Sequence, residues 1–223
     1  MHIEPGVVTG AKLALSYVTA AGAGAYSLKL CADALAERGL PSLAARGALA
    51  TAAVFVFFEV FPHVAVGVSE VHLIFGSTLF LLLGAAPAAL GLALGLLLQG
   101  LLFAPFDLPQ YGMNVTTLLV PLFGIAAVAR RVIPARTAYV DLSYGQALAL
   151  STTYQGGVVA WVAFWALYGE GTAALSGVAT FGAAYMLVVA IEPLADLAVL
   201  AGAKAMRGLS RSGLVTPRLF AGA

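Results

Sequence analysis

The sequence predicts an all-α fold, a polytopic membrane helical bundle of about seven transmembrane helices, from its composition and the lengths of its apolar runs. Of the 223 residues, 61% are hydrophobic and only 9% are charged. A soluble domain carries roughly a quarter charged residues, so this chain cannot cover a water-facing surface. We expect one integral membrane domain over 1–223, with a short basic tail at about 203–223.

Each predicted helix is an apolar run bounded by turn-forming or charged residues. The first begins after Pro5-Gly6 and ends near Lys29, and the second stops at Phe61-Pro62. The third looks short for a full crossing and is joined to the fourth by Ala85-Ala86-Pro87 alone. The predicted helices cover about 7–29, 45–62, 70–84, 87–105, 113–129, 145–168 and 172–202.

The basic residues predict the orientation. They follow the first, fifth and seventh predicted helices, which a seven-helix chain places on one side of the membrane. Basic residues in short loops favour the cytoplasmic side, so we expect the amino terminus outside and the carboxyl terminus in the cytoplasm. The three groups are Lys29, Arg38 and Arg46; Arg130, Arg131 and Arg136; and Lys204, Arg207, Arg211 and Arg218.

Several function classes are excluded by what the sequence lacks. A formal charge of +1 argues against a nucleic-acid partner, which would need a basic face. The single cysteine, Cys31, excludes an internal disulfide framework and a thiolate metal cluster. The chain has no Gly-x-x-x-x-Gly-Lys-Ser/Thr motif, so we do not expect it to hydrolyse ATP itself.

The predicted outer face combines histidines with acids. His2, His63 and His72 all fall there in the seven-helix topology, together with acidic residues and without Lys or Arg in the outer loops. A field of that sign attracts cations. The acids of the outer segments are Glu4, Glu70, Asp107 and Glu170, with Glu59 close below the surface.

The amino terminus itself can chelate a metal. The start Met1-His2 does not resemble a cleaved signal peptide, and histidine at the second position should leave Met1 in place. The Met1 amine, the His2 amide nitrogen and His2 Nδ1 can then close fused five- and six-membered rings on an ion. Such a flat, all-nitrogen site suits Ni(II), Cu(II) or Co(II).

His72 is the predicted fourth ligand. It lies where the third predicted helix enters the membrane, and a histidine at that depth costs free energy unless it is paired. The alternative is a histidine that is hydrogen-bonded to a backbone carbonyl. His63 follows Pro62 in a loop, where it is either solvated or a substitute ligand.

Polar residues nearby are predicted to orient the ligands. For Gln99 and Asn114 the alternative is ordinary hydrogen bonding between helices. Glu192 and Asp196 flank Pro193 and are predicted to cap a helix break or to pair with the basic tail. The orienting candidates are Ser69, Glu70, Gln99 and Asn114.

The motifs together resemble a known family. Met1-His2-Ile3 precedes Gly6, Ser69 precedes His72, 97–104 reads Leu-Leu-Gln-Gly-Leu-Leu-Phe-Ala, and 112–114 reads Gly-Met-Asn. They resemble the substrate-binding membrane components of cobalt and nickel energy-coupling-factor ABC transporters, the CbiM/NikM family. The resemblance covers about the first 130 residues and agrees with the family's seven-helix, amino-terminus-out topology.

The resemblance implies a transported metal ion and several partners. It implies Co(II) or Ni(II) as substrate, held by Met1, His2 and His72, with no organic cofactor. It also implies a transmembrane coupling (T) subunit, ABC-type ATPases, a small accessory membrane subunit, and the inner (plasma) membrane of a bacterium or archaeon. The sequence departs from the family pattern by one extra residue between Ser69 and His72, and by Leu73-Ile74-Phe75-Gly76 after it.

Two other functions stay open at this point. Gly67-Val68-Ser69 beside His72 superficially resembles the nucleophile and base of an intramembrane serine hydrolase. No oxyanion-binding feature accompanies them, so we expect that the protein is not an enzyme. A non-transport metal sensor or assembly factor is the second alternative. Small residues at Ala44, Ala48 and Ala52 either pack helices within the chain or dock a partner subunit.

Overall fold

A computed structural model describes residues 3–206; Met1, His2 and 207–223 lie outside the described residues. The described chain is a helical bundle with one short β-hairpin. Short 3-10 segments cover Gly10–Lys12, Pro105–Gln110, Tyr139–Asp141 and Gly171–Ala174. The main elements are α1 (Leu13–Glu59), β1 (Val64–Val66), β2 (Ser69–Val71), α2 (Gly76–Leu83), α3 (Ala85–Leu102), α4 (Tyr111–Val132), α5 (Tyr144–Glu170) and α6 (Leu175–Ala205).

Four stretches of the described chain are long and apolar enough to cross a membrane: Gly10–Glu59, Ala85–Leu102, Pro105–Val132 and Tyr144–Ala205. The last includes both α5 and α6, and the first includes a helix with a break in it. The predicted membrane-embedded helical bundle is therefore confirmed. The number of seven crossings and the orientation of the termini stay predictions.

The break in α1 lies at Gly39, with φ 76° and ψ 168°. Glycine adopts a positive φ without steric cost, and Pro41 suits the first turn of the helix that follows. Two helical segments result, 13–38 and 40–59. The loop predicted between 29 and 45 was wrong, because nothing before Gly39 interrupts the helix. The predicted start at residue 7 was also too early, since the helix begins at Leu13.

The third predicted helix, 70–84, was wrong over its first half. Residues 69–71 form β2, which pairs with β1 in antiparallel register around a turn at Gly67, φ 66°. Only Gly76–Leu83 is helical, and the left-handed Gly84, φ 93°, ends it. Eight residues make about 12 Å of helix, less than half of the hydrocarbon thickness. A single long helix and a strand followed by a short helix can have the same apolar composition, so hydropathy alone did not distinguish them.

Helix α4 forms the centre of the bundle. Thirteen of its residues are buried, and it packs against α1, α3 and α5. Helix α5 also packs against α6, and large side chains of both helices are fully buried in the core. These side chains are Tyr154 and Trp165 of α5, and Phe181 and Tyr185 of α6.

Small residues bring α1 and α3 together. A Cβ at Gly91 would lie 2.4 Å from that of Ala50, and one at Gly95 would lie 2.6 Å from Val54 Cγ1. Glycine is therefore required at both contacts, as in other closely packed membrane helices. The predicted small-residue stripe lies on the neighbouring face, where it is exposed and lines an apolar groove of about 700 Å³: Ala44, Ala48 and Ala52.

The bundle has two distinct ends. At one end, here called the hairpin end, residues 3–12 and the hairpin 64–71 cover the tops of the helices, and Lys12 Nζ donates to Gly169 O at 2.7 Å. At the other end, Arg46 Nη1 donates to Leu83 O at 2.6 Å and Lys204 Nζ to Val140 O at 3.0 Å. Arg46 and Lys204, which were predicted to lie on the same side of the membrane, thus both bind backbone carbonyls at the end opposite the hairpin.

Candidate metal site

The segment after His2 is held tightly at the hairpin end. Ile3 is fully buried and its amide donates to Asn114 Oδ1 at 2.9 Å. Ile3 also forms an antiparallel bridge with Ser69, and the amide of Glu4 donates to Val68 O at 3.1 Å. The segment is therefore joined to β2 of the hairpin by a single bridge, and α4 supplies one further acceptor.

Glycines allow this layer to pack closely on α5 and α6. A Cβ at Gly169 of α5 would lie 1.9 Å from the carbonyl oxygen of Val7. A Cβ at Gly67 in the hairpin turn would lie 2.3 Å from the carbonyl oxygen of Gly177 on α6. The backbones are in direct contact at both glycines. Helices α5 and α6 therefore position the amino-terminal segment and the hairpin.

His72 is buried, with 1% of its surface exposed. Its Nε2 lies 2.8 Å from Glu70 Oε2, and its ring centroid lies 5.2 Å from that of Phe58. A carboxylate that binds one ring nitrogen fixes the orientation and tautomer of an imidazole, which is how metal-binding histidines are commonly held. A carboxylate therefore lies at Nε2 of His72, and the choice between a metal ligand and a histidine bonded to a backbone carbonyl stays a prediction.

The structure also brings His63 to His72. The two rings stack with centroids 5.0 Å apart and planes 12° from parallel. His63 is exposed, and its Nδ1 lies 3.2 Å from the carbonyl oxygen of Phe61. Both histidines therefore belong to the same site, and the choice of His72 or His63 as the metal ligand stays a prediction.

Three acids, here called the loop acids, share this end of the bundle: Glu4, Glu70 and Asp107. Burial raises the pKa of Glu4, and the charges of Glu70 and Asp107 raise it further. Asp107 lies in the segment before α4 and is 5% exposed. Acids that repel one another in a partly desolvated place create a field that favours a cation.

The other predicted orienting residues fall into two groups. Ser69 and Asn114 are buried and contact the Ile3 backbone. Asn114 and Asp107 also line a cavity of about 10 Å³, which is close to the space that one water molecule needs. Gln99 is buried but does not line that cavity, and its Oε1 has no hydrogen-bond partner among residues 3–206.

Residues 3–206 contain no group of three or more His, Cys, Asp or Glu side chains that could hold a metal ion. The predicted ligands Met1 and His2 lie outside the described residues. Their role as ligands therefore stays a prediction, and Ile3 is the nearest described residue to them.

Sequence reasoning missed the role of two acids in the membrane. Glu192 and Asp196 were predicted to cap a helix break or to pair with the tail. The predicted break is wrong, because α6 continues through Pro193, and the tail lies outside the described residues. Both instead accept hydrogen bonds from the segment that follows His72, at Ile74, Phe75, Ser77 and Thr78. Their i, i+4 spacing, which places both on one face of α6, was the available signal. We call this pair the α6 clamp.

The family described as cobalt uptake substrate-specific transmembrane region, CbiM, matches residues 2–208. No curated protein and no solved structure matched the chain. The chain belongs to this family, and the predicted family is confirmed. It is accordingly a cobalt uptake transmembrane component, and it is not an enzyme. The family finding gives no support to the serine hydrolase or to the sensor and assembly-factor alternatives.

Proposed function

We propose that the chain captures Co(II) or Ni(II) at the hairpin end, with the Met1 amine, the His2 amide nitrogen and His2 Nδ1 as three ligands. His72 supplies the fourth. Three nitrogens from two consecutive residues close fused five- and six-membered rings, a donor set that suits late first-row divalent ions. Chelation requires a deprotonated amine and amide, so binding releases protons and weakens at low pH.

The contacts of Ile3 carry the proposal. Ile3 is bonded directly to His2, and consecutive Cα atoms lie about 3.8 Å apart. Its bonds to Asn114 and its bridge to Ser69 therefore tie the proposed chelate to the strand that leads to His72.

The surroundings support a cation as the substrate. Glu70 holds His72 Nε2, so Nδ1 is the ring nitrogen that would bind the ion. The loop acids supply negative charge at the same end, which raises the local concentration of cations. Capture at this end places the chelate where the predicted topology has the outer face of a bacterial or archaeal inner membrane.

The chain needs partners for transport. We propose that separate ABC-type ATPases supply energy through a transmembrane coupling subunit, with a small accessory membrane subunit also in the complex. Inward release requires that the chelate is broken. Reorientation of the whole bundle by the coupling subunit would separate the hairpin end from the outer solution and permit release.

Substitution of His2 tests the site. His2→Ala and an extension of two residues before Met1 each remove part of the chelate, and both should abolish Co(II) and Ni(II) binding in titration calorimetry of the purified protein. Glu170→Gln is the control, because it removes an exposed charge at the same end without altering a proposed ligand and should bind nearly as well as wild type. Wild-type affinity in either amino-terminal variant would refute the site.

The fourth ligand and the metal require a second measurement. His72→Ala should weaken binding far more than His63→Ala, and the opposite order would assign the ligand to His63. Parallel titrations with Co(II) and Ni(II), followed by absorption spectroscopy of each complex, measure the preference and the coordination geometry. A flat nitrogen site predicts a square-planar nickel spectrum; an octahedral spectrum would contradict the chelate.

A further inference from the structure

The chain immediately after His72 is held in an unusual conformation. Phe75 has φ 54° and ψ 33°, in the left-handed region, and α2 begins at the next residue. Residues other than glycine seldom adopt this conformation, and it persists only where the surroundings hold it in place. The structure provides that constraint from α6, a helix more than one hundred residues later in the sequence.

Glu192 binds the backbone of this segment. The amide of Ile74 donates to Glu192 Oε1, and the amide of Phe75 donates to Oε2 at 2.9 Å. The side chain of Gln155 on α5 also donates to Oε2, and Tyr185 donates its hydroxyl to Gln155 Oε1 at 2.7 Å. A buried carboxylate is tolerated in an apolar interior when its oxygens are satisfied in this way.

Asp196 lies one turn further along α6 and binds side chains of the first turn of α2. Ser77 Oγ donates to Asp196 Oδ2 at 2.5 Å, and Thr78 Oγ1 donates to Oδ1. The two acids of the α6 clamp therefore have different targets. Glu192 holds the backbone two and three residues after His72, whereas Asp196 holds the first turn of α2, where negative charge also favours the helix dipole.

The clamped segment has little space to adjust. A Cβ at Gly76 would lie 2.1 Å from the ring of Tyr154, so the backbone of α2 begins directly against a fully buried side chain. Ile74 is also fully buried. A displacement of the fully buried Ile74 would therefore be transmitted to His72, two residues before it.

We infer that Glu192 is a positioning residue for metal capture, which holds the chain after His72 so that the imidazole meets the amino-terminal chelate. This inference rests on the proposed function. The clamp is not itself a metal site, because the oxygens of both acids accept hydrogen bonds from the protein. Its role differs from that of Glu70, which contacts the ring of His72 directly.

Glu192→Gln and Asp196→Asn form the matched pair for the test. An amide in place of Glu192 substitutes a donor for one acceptor, so a backbone N–H loses its partner and the segment shifts. We expect Glu192→Gln to bind Co(II) about tenfold or more weakly and to alter the absorption spectrum of bound Co(II). Asp196→Asn should lower the melting temperature by a similar amount and leave affinity and spectrum close to wild type.

The readouts separate positioning from simple stability. Equal loss of affinity in both variants, in proportion to melting temperature, would overturn the inference, as would wild-type affinity and spectrum in Glu192→Gln. If Glu192→Gln fails to fold, Gln155→Leu removes one donor to Glu192 and should show the same spectral change with a smaller loss of affinity; an unchanged spectrum would refute the role. Glu192→Asp should restore part of the affinity, because it keeps the acceptors.

Failure of the proposed function would look different. If wild-type protein does not bind Co(II), or binds it equally well after His2→Ala, the metal site itself is wrong. If wild-type binding depends on His2 and Glu192→Gln leaves it unchanged, only the role of Glu192 is wrong.

Discussion

The loop acids and the α6 clamp use the same chemical group in opposite ways. Glu70 of the loop acids is 23% exposed at its side chain and contacts an imidazole. Glu192 of the clamp is fully buried and accepts from two backbone amides and a glutamine. Burial raises the pKa of Glu4 most, and the nearby acids Glu70 and Asp107 raise it further.

The difference shows what determines the role of an acid in this protein. Where hydrogen-bond donors surround the carboxyl group, as at Glu192, its two oxygens hold the chain in place. Where acids approach one another at the rim, as at Glu4 and Glu70, their summed negative charge favours a cation. Changes at the hairpin end should therefore alter metal affinity, and a change at Glu192 should alter both the affinity and the geometry of the bound ion.

Gly169→Ala should have the largest effect at the hairpin end. The new Cβ would lie 1.9 Å from the carbonyl oxygen of Val7, so the segment that leads to Ile3 must lift from α5. We expect Co(II) affinity to fall by about 100-fold in calorimetry. Gly156→Ala, on the same helix with nothing within 4 Å of the new Cβ, is the control and should bind normally. Normal binding by both variants would show that metal binding does not require the close contact between Gly169 and Val7.

Asn114→Leu should have an intermediate effect. It removes the acceptor for the Ile3 amide and leaves a buried donor unsatisfied, so we expect about tenfold weaker Co(II) binding. Asn114→Asp keeps an oxygen acceptor in the same place and should stay close to wild type. If the two variants weaken binding equally, the hydrogen bond to Ile3 is not what holds the chelate.

Glu4→Gln should have the smallest effect, on the stability of the metal-free protein. The raised pKa of Glu4 means that the folded state keeps a proton to higher pH than the unfolded chain. Stability therefore falls as pH rises above the ordinary glutamate range, through the raised pKa. Glu4→Gln removes this loss, so it should melt slightly higher than wild type at pH 7; partial exposure keeps the gain small.

A pH series of melting temperatures measures that difference. The gap between Glu4→Gln and wild type should widen as the pH rises above the ordinary glutamate pKa of 4.5, because the folded state holds the Glu4 proton to a higher pH than the unfolded chain does. Glu170→Gln, an exposed acid at the same end, is the control and should show no such widening. A constant gap at every pH would contradict the interaction among the loop acids.

Much of the bundle could be predicted from apolar runs. The predicted ranges 113–129, 145–168 and 172–202 each lie within three residues of the observed ends of α4, α5 and α6. Long runs bounded by charged or turn residues permit little besides a helix. The predictions failed at 29–45 and at 70–84, where single glycines with positive φ decide the path: Gly39, Gly67 and Gly84.

The candidate site was predictable by residue type but not by contact. Histidine and acid at the same predicted face identified His72 and Glu70, and both lie together in the structure. The stacking of His63 on His72 was not predictable, because it depends on the hairpin turn at Gly67. The link from Glu192 to Ile74 joins positions 118 apart, and no local pattern encodes such a pair.

The sequence by itself determined a membrane bundle, the family and the donor atoms of the proposed chelate. These follow from composition and local order, since hydropathy sets which segments avoid water and residue type sets the chemistry. Only the tertiary structure decided that Ile3 lies against Ser69 and Asn114, and that Glu192 holds the chain beyond His72. Such contacts require that distant helices are packed first, because an acceptor on α4 or α6 meets its donor only in the assembled bundle.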